Sequence, residues 1–160
     1  MKELIGLAEQ AAAKLIARKQ TIAVAESSTG GLIAASLLAV PGASAYFVGG
    51  AVVYTREARR VLMDITDETM KGMRSASEPY ARLLAEQVRR RFASDWGLSE
   101  SGAAGPTGNR YGDAAGHSCM ALAGATTAVM TLETASNDRQ ANMHEFAKTA
   151  LGLLLKNLSQ

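Results

Sequence analysis

The chain has 160 residues, 48% apolar and 20% charged, with a formal net charge of +2 and a mean hydropathy of +0.01. That length suits a single domain over residues 1–160, able to bury a core without disulfide or metal staples. The small net charge argues against a nucleic-acid partner, and no apolar run of about 20 residues argues for a membrane span. The one cysteine, Cys119, excludes an internal disulfide and makes a reducing cytoplasm the expected compartment.

Residues 3–19 carry an apolar stripe of period 3.6, with Lys14, Arg18 and Lys19 towards the end where cations suit a helix dipole. The start lacks the apolar segment of a signal peptide. Thr21–Ala25 is short, apolar and β-branched and predicts a buried strand. It stops at Glu26-Ser27-Ser28-Thr29-Gly30-Gly31, and Leu32–Val40 predicts a helix ended by Pro41-Gly42. Tyr46–Tyr54 predicts a second strand. Thr55 is placed to cap a short helix through Met63, and Thr66, followed by Asp67 and Glu68, to open another. A long helix runs from Ser77 to about Ala93. A third strand follows from Trp96, then a glycine-rich loop over 102–116. Two strands, His117–Gly124 and Thr126–Glu133, and a last helix over 139–157 complete the chain. The alternation predicts an α/β fold, a three-layer α/β/α sandwich with a mixed central sheet.

Two polar clusters fall where strands end. In the first, three hydroxyls and two glycines precede a helix, where free backbone N–H groups bind phosphate or stabilise an oxyanion. Plain helix capping explains the same residues equally well. The second, Glu100-Ser101-Gly102, runs into Ala103-Ala104-Gly105-Pro106-Thr107-Gly108. Ligands in α/β sheets bind outside the carboxyl ends of strands, so the two clusters are candidates for one crevice. Tyr54 and Arg56, Arg59 and Arg60 lie between them: an anion site, or a solvated helix face. Arg89-Arg90-Arg91 splays around its helix and reads as a solvated face. His117, Cys119 and His144 lack the company of a metal site, so no metal or other cofactor is expected. His117 remains an option for the histidine of a serine triad.

The three clusters carry a resemblance. AESSTGG (25–31) resembles the AESCTGG motif of the CinA family C-terminal domain. VPGASAYFVGGAVVYTREAR (40–59) is similar to that family's VPGSS-YF-GG-VTYSNEAK segment, and ESGAAGPTG (100–108) to its TGIAGPGGG loop. The resemblance covers nearly the whole chain, without the molybdopterin-binding-like N-terminal domain of full-length members, which points to a stand-alone form. It implies deamidation of nicotinamide mononucleotide to nicotinate mononucleotide and ammonia, with a serine attacking the carboxamide. Carried over position by position, the nucleophile corresponds to Ser27, a second hydroxyl to Ser44, the tyrosine to Tyr54 and the hydroxyl of the loop motif to Ser101. The resemblance places Glu26, Ser28, Thr29, Gly30, Gly31, Ser44, Gly102, Gly105, Thr107 and Arg139 around the substrate. The family's lysine, its activating base, is Arg59 here, and a guanidinium stays protonated and takes no proton from Ser27. Cysteine becomes Ser28, and the loop reads GNRYGDAAGHSC over 108–119. There Arg110 and Tyr111 are either substrate-binding residues, suited to phosphate and base recognition, or exposed loop residues, and His117 offers a substitute base. Asp138-Arg139 is kept in the last helix, but Asn142, Met143 and His144 follow where basic residues are expected. The expectation is therefore an amidohydrolase of a nucleotide-linked carboxamide. A hydrolase with a shifted substrate and a non-catalytic nucleotide-binding module stand as alternatives. The expected partner is a small nucleotide, with no nucleic acid and no membrane, in a homo-oligomer, by preference a dimer. The apolar Leu151–Leu155 helix serves either as interface or as core.

Overall fold

The computed structural model describes all 160 residues. In chain order they form α1 (Lys2–Arg18), β1 (Ile22–Glu26), α2 (Leu32–Leu38), a 3₁₀ turn (Ala43–Ala45), β2 (Phe47–Val52), α3 (Arg56–Met63), α4 (Glu78–Phe92), β3 (Trp96–Ala103), β4 (His117–Ala123), β5 (Ala128–Glu133) and α5 (Arg139–Leu158). The sheet order is β2-β1-β3-β4-β5. β2, β1 and β3 run parallel, and β4 and β5 join antiparallel, so the sheet is mixed.

Strand alternation builds the two outer layers. On one face Ile22, Val24, Leu98 and Met120 meet α1, α2 and α5 through Leu4, Leu15, Leu37, Phe146 and Leu154, all fully buried. On the other, Ala23 and Ala25 meet Tyr80, Leu84 and Val88 of α4. Central strands β1 and β4 are buried at every residue, whereas edge strand β2 alternates in exposure. The Leu151–Leu155 stripe is core: Leu151 and Leu154 are fully enclosed. α4 lies unusually close to β3 at Gly97, where a Cβ would sit 2.1 Å from the Ala85 carbonyl oxygen.

Two segments differ from the sequence expectation. Residues 67–72 form turns, not a helix. Thr66 does accept the Thr69 N–H at 3.2 Å, but Gly72 at φ +78 ends the segment before a second turn forms, and one turn does not repay helix nucleation. β3 also reaches Ala103, further than expected. It pairs with β1 only as far as Glu100 and with β4 through Ala103, so Ser101, Gly102 and Ala103 project past the end of β1 with one edge unpaired. No helix is long and apolar enough to cross a membrane.

Candidate active site

The connections leaving β1 and β3 diverge. β1 leads through α2 to β2 on one side, and β3 turns into β4 on the other. A crevice opens between their carboxyl ends, where an α/β sheet binds ligands. Two adjoining hollows fill it. The first, about 250 Å³, is lined by Ser27, Tyr54, Arg59, Ser75, Ala76, Tyr80, Ser101, Asn109 and Tyr111, among others. The second, about 280 Å³, is lined by Ser28, Ala104, Gly105, Thr107, Gly108 and Arg139, and shares Tyr54, Gly102 and Asn109 with the first.

Two buried glutamates shape the Ser27–Gly31 turn. Glu26, 1% exposed, caps α2: its carboxylate accepts the N–H groups of Gly31 (2.9 Å), Ile33 (3.1 Å) and Ala34 (2.9 Å) and the Thr29 hydroxyl (2.7 Å). Burial pushes the Glu26 carboxyl above its ordinary range, and the donors pull it only part of the way back. Glu100, fully buried, accepts the N–H groups of Ser27 (3.1 Å) and Thr29 (3.0 Å) on Oε2, with the Thr29 hydroxyl at 2.9 Å. Its Oε1 accepts the hydroxyls of Ser28 (2.5 Å) and Ser118 (2.9 Å). Thr29 Oγ1 thus bridges both carboxyl groups with a single proton.

This overturns one expectation. The amides of the turn are not an open anion site, because the protein's own carboxylates occupy them. Among the amides from Ser27 to Ala34, only that of Ser28 has no protein acceptor. Glu26 and Thr29 are consumed in building the turn. Gly30 (φ +64) and Gly31 (φ +105) supply its left-handed backbone, and none of the four lines either hollow.

Ser27 is held by its backbone while its hydroxyl makes no bond to the protein and faces the first hollow. Ser101 Oγ accepts the Ala76 N–H at 3.0 Å. Arg59 stacks over Tyr80 at 5.6 Å, donates Nη1 to Ser75 Oγ at 2.8 Å, and leaves its buried Nε without a partner and its charge without a carboxylate. In the second hollow Arg139 also lacks a carboxylate. It donates to the Gly105 carbonyl (2.5 Å) and the Tyr54 hydroxyl (3.2 Å). The amides of Ala104, Gly105, Thr107 and Gly108 have no protein acceptor.

Other expected positions move. Ser44 sits in the 3₁₀ turn before β2, at the opposite end of the sheet, because β2 runs parallel to β1. Arg110 is exposed and lines neither hollow; it lies over Tyr111, which does line the first, and donates to its hydroxyl at 3.0 Å. That bond lowers the Tyr111 phenol's pKa. His117 is no substitute base. Its Nδ1 meets Glu133 at 2.5 Å and its Nε2 the Ala76 carbonyl at 2.7 Å, so both ring nitrogens face acceptors away from Ser27. Burial disfavours its cation most, but Glu133, the carbonyl and Asp113 together raise its pKa above the ordinary value. Sequence reasoning missed Ser75, Ala76 and Asn109 as walls. Ala76 carries no signal at all, since an alanine at φ +53 is unreadable from sequence. No group of three His, Cys, Asp or Glu side chains is gathered to hold a metal ion.

A family model for the CinA C-terminal domain matches residues 5–158. The chain belongs to that family. A curated CinA-like protein of Gloeobacter violaceus is 39% identical over 154 residues, covering 95% of this chain and 36% of the relative. One of Desulforapulum autotrophicum is 37% identical over 158 residues, 37% of its length. The chain thus spans well under half of these relatives. Among solved structures, a CinA-superfamily protein of Klebsiella pneumoniae superposes with a TM-score of 0.91 at 27% identity, covering 98% of both chains. A competence or damage-inducible protein of Enterobacter asburiae gives 0.90 at 29% identity, covering 97% of this chain and 98% of its own. The mixed sheet and its flanking helices are therefore those of the CinA C-terminal domain.

Proposed function

We propose that this CinA domain is an amidohydrolase that releases ammonia from the carboxamide of nicotinamide mononucleotide, or of a closely similar nucleotide, with Ser27 as nucleophile. One observation carries the reading: a serine clamped by its backbone, with its hydroxyl unbonded, at the wall of a hollow of about 250 Å³. Ser27 Oγ bonds to the carboxamide carbon, and ammonia leaves with the proton that the serine gave up. Water then attacks the acyl ester, the acid departs and the serine regains its proton. The free Ser28 N–H follows the nucleophile in sequence and is suited, with the Arg59 guanidinium, to stabilise the oxyanion. Arg139 and the unpaired amides of Ala104–Gly108 suit a phosphate in the adjoining hollow. Tyr54, between the two, suits the ribose or ring.

A second reading, nucleotide binding without hydrolysis, is favoured by Arg59 itself, which holds charge but accepts no proton. The test is ammonia release from nicotinamide mononucleotide by the wild type, Ser27→Ala and Arg59→Lys. Release that falls by roughly three orders of magnitude or more in Ser27→Ala supports the deamidase. A silent wild type with an active Arg59→Lys supports the second reading. Silence in both overturns the substrate assignment.

A further inference from the structure

An attacking serine needs a proton acceptor, and the groups nearest the cleft are spent. Arg59 holds its protons, both nitrogens of His117 face other acceptors, and Asp113 is bound to Arg74 at 2.5 Å. Tyr54 is more than half exposed and receives a bond from Arg139. One carboxylate remains in reach of the cleft wall. Glu100 is fully buried, has only neutral donors around it, and meets the cleft through a single side chain, Ser28, whose hydroxyl donates to Oε1 at 2.5 Å. Ser28 follows Ser27 directly in the chain. The same carboxylate holds the Ser27 N–H at 3.1 Å, so nucleophile and acceptor are locked to one another.

We propose that Glu100 is the proton acceptor for Ser27, reached through the Ser28 hydroxyl. The Ser27 hydroxyl is unbonded in the resting structure. As Ser27 Oγ bonds to the electrophile it turns to its neighbour and passes its proton to Ser28 Oγ, and the Ser28 proton passes along the existing hydrogen bond to Glu100 Oε1. Ser28 ends unchanged and Glu100 ends neutral. When ammonia departs, the proton passes from Glu100 back through Ser28 Oγ to the leaving nitrogen, and Ser27 Oγ regains a proton only when water cleaves the ester. Thr29 Oγ1, 2.9 Å from Glu100 Oε2 and 2.7 Å from Glu26, joins the acceptor to a second carboxyl group.

The geometry supplies a variant that separates this role from architecture. At Oε2 Glu100 accepts two backbone N–H groups, so an oxygen is required there. At Oε1 it meets only hydroxyls, which accept as readily as they donate. Glutamine, with its oxygen at the first position and its NH₂ at the second, keeps these contacts but accepts no proton.

The inference rests on Ser27 as nucleophile, so its test avoids the carboxamide substrate. The purified protein and its Glu100→Gln, Ser28→Ala, Ser28→Cys and Ser27→Ala variants are treated with phenylmethanesulfonyl fluoride. Sulfonylation forms the Ser27 O–S bond, breaks S–F and releases fluoride. The site is mapped by peptide mass, the maximal rate is separated from the half-saturating concentration, and folding is checked by thermal melting. The expected result is modification of Ser27 in the wild type, with the maximal rate lowered about 100-fold or more in Glu100→Gln and Ser28→Ala. Half-saturation stays unchanged, and Ser28→Cys, whose thiol keeps a transferable proton, regains rate over Ser28→Ala. Equal rates in folded wild type and Glu100→Gln overturn the relay while leaving Ser27 as nucleophile. A wild type unmodified at Ser27, or modified at Ser28 instead, overturns both.

Discussion

The ring of His117 donates to the carbonyl oxygen of Ala76 at 2.7 Å, and the N–H of Ala76 donates to Ser101 Oγ at 3.0 Å, so a buried histidine fixes one wall of the cleft from behind. Glu133 holds the other ring nitrogen at 2.5 Å, and Asp113 stands 3.6 Å from the first. With acceptors at both nitrogens the imidazolium is the fitting form. Its pKa is raised in the fold, so its contribution is complete below the ordinary value of 6.5 and is lost as pH rises through the higher folded value. His117→Gln should therefore cost roughly 1–3 kcal/mol at pH 6 and clearly less at pH 9. Thermal unfolding of both proteins across that range checks it; a gap independent of pH would remove the cation from the account.

The close approach of α4 to β3 sets a second expectation. A Cβ at Gly97 would lie 2.1 Å from the Ala85 carbonyl oxygen and 2.8 Å from the Arg89 Cβ. The first contact is with backbone, so the helix must move as a unit. Gly97→Ala should destabilise the domain by roughly 1–3 kcal/mol or more, which corresponds to about 2–4 °C in melting temperature per kcal/mol at this size. A melting temperature equal to the wild type would mean that α4 floats on the sheet.

Most of the fold was legible because local signals agree with the tertiary arrangement. Thr55 and Ser77 cap α3 and α4 through their hydroxyls, and Asp138 caps α5 through its carboxylate. Short apolar runs bounded by turn residues marked the strands, and central strands β1 and β4 are buried at every residue, with no alternation to read. The site was legible as two strand ends, but not in its internal division of labour. Glu26-Ser27-Ser28-Thr29 reads as four polar candidates in a row. Only the fold shows that Glu26 and Thr29 are turned inward while Ser27 and Ser28 reach the two hollows. Glu100 stood out as an acid at a strand end, yet its five hydrogen-bond contacts come from four residues, Ser118 being 18 positions away. Such long-range convergence leaves no trace in spacing.

Ser44 marks the reverse case, a motif position that the topology removes from the cleft. It precedes β2, whose first residue pairs with Ile22 at the start of β1, while the cleft lies beyond Glu26 and Val52. Five residue steps along β2 put roughly 17 Å between those ends. In a site completed within one subunit, Ser44→Ala should leave ammonia release within about twofold of the wild type, as expected for an exposed substitution remote from the chemistry. A large loss of kcat with an intact fold would instead show that a second copy delivers Ser44 to the cleft.

Arg139 should govern affinity, not turnover. Its guanidinium has no carboxylate partner, spans from the Gly105 carbonyl to the Tyr54 hydroxyl, and borders the hollow lined by Thr107 and Gly108. If that hollow takes the phosphate, Arg139→Ala removes a charged hydrogen bond of about 1.5–3 kcal/mol. KM for the nucleotide then rises by roughly one to two orders of magnitude, while kcat changes little. The nucleoside lacking the phosphate supplies the control, since it has no group for Arg139 to hold. An equal loss of kcat/KM for nucleotide and nucleoside would assign Arg139 to positioning Tyr54 and the 104–108 loop and leave the phosphate without its cation.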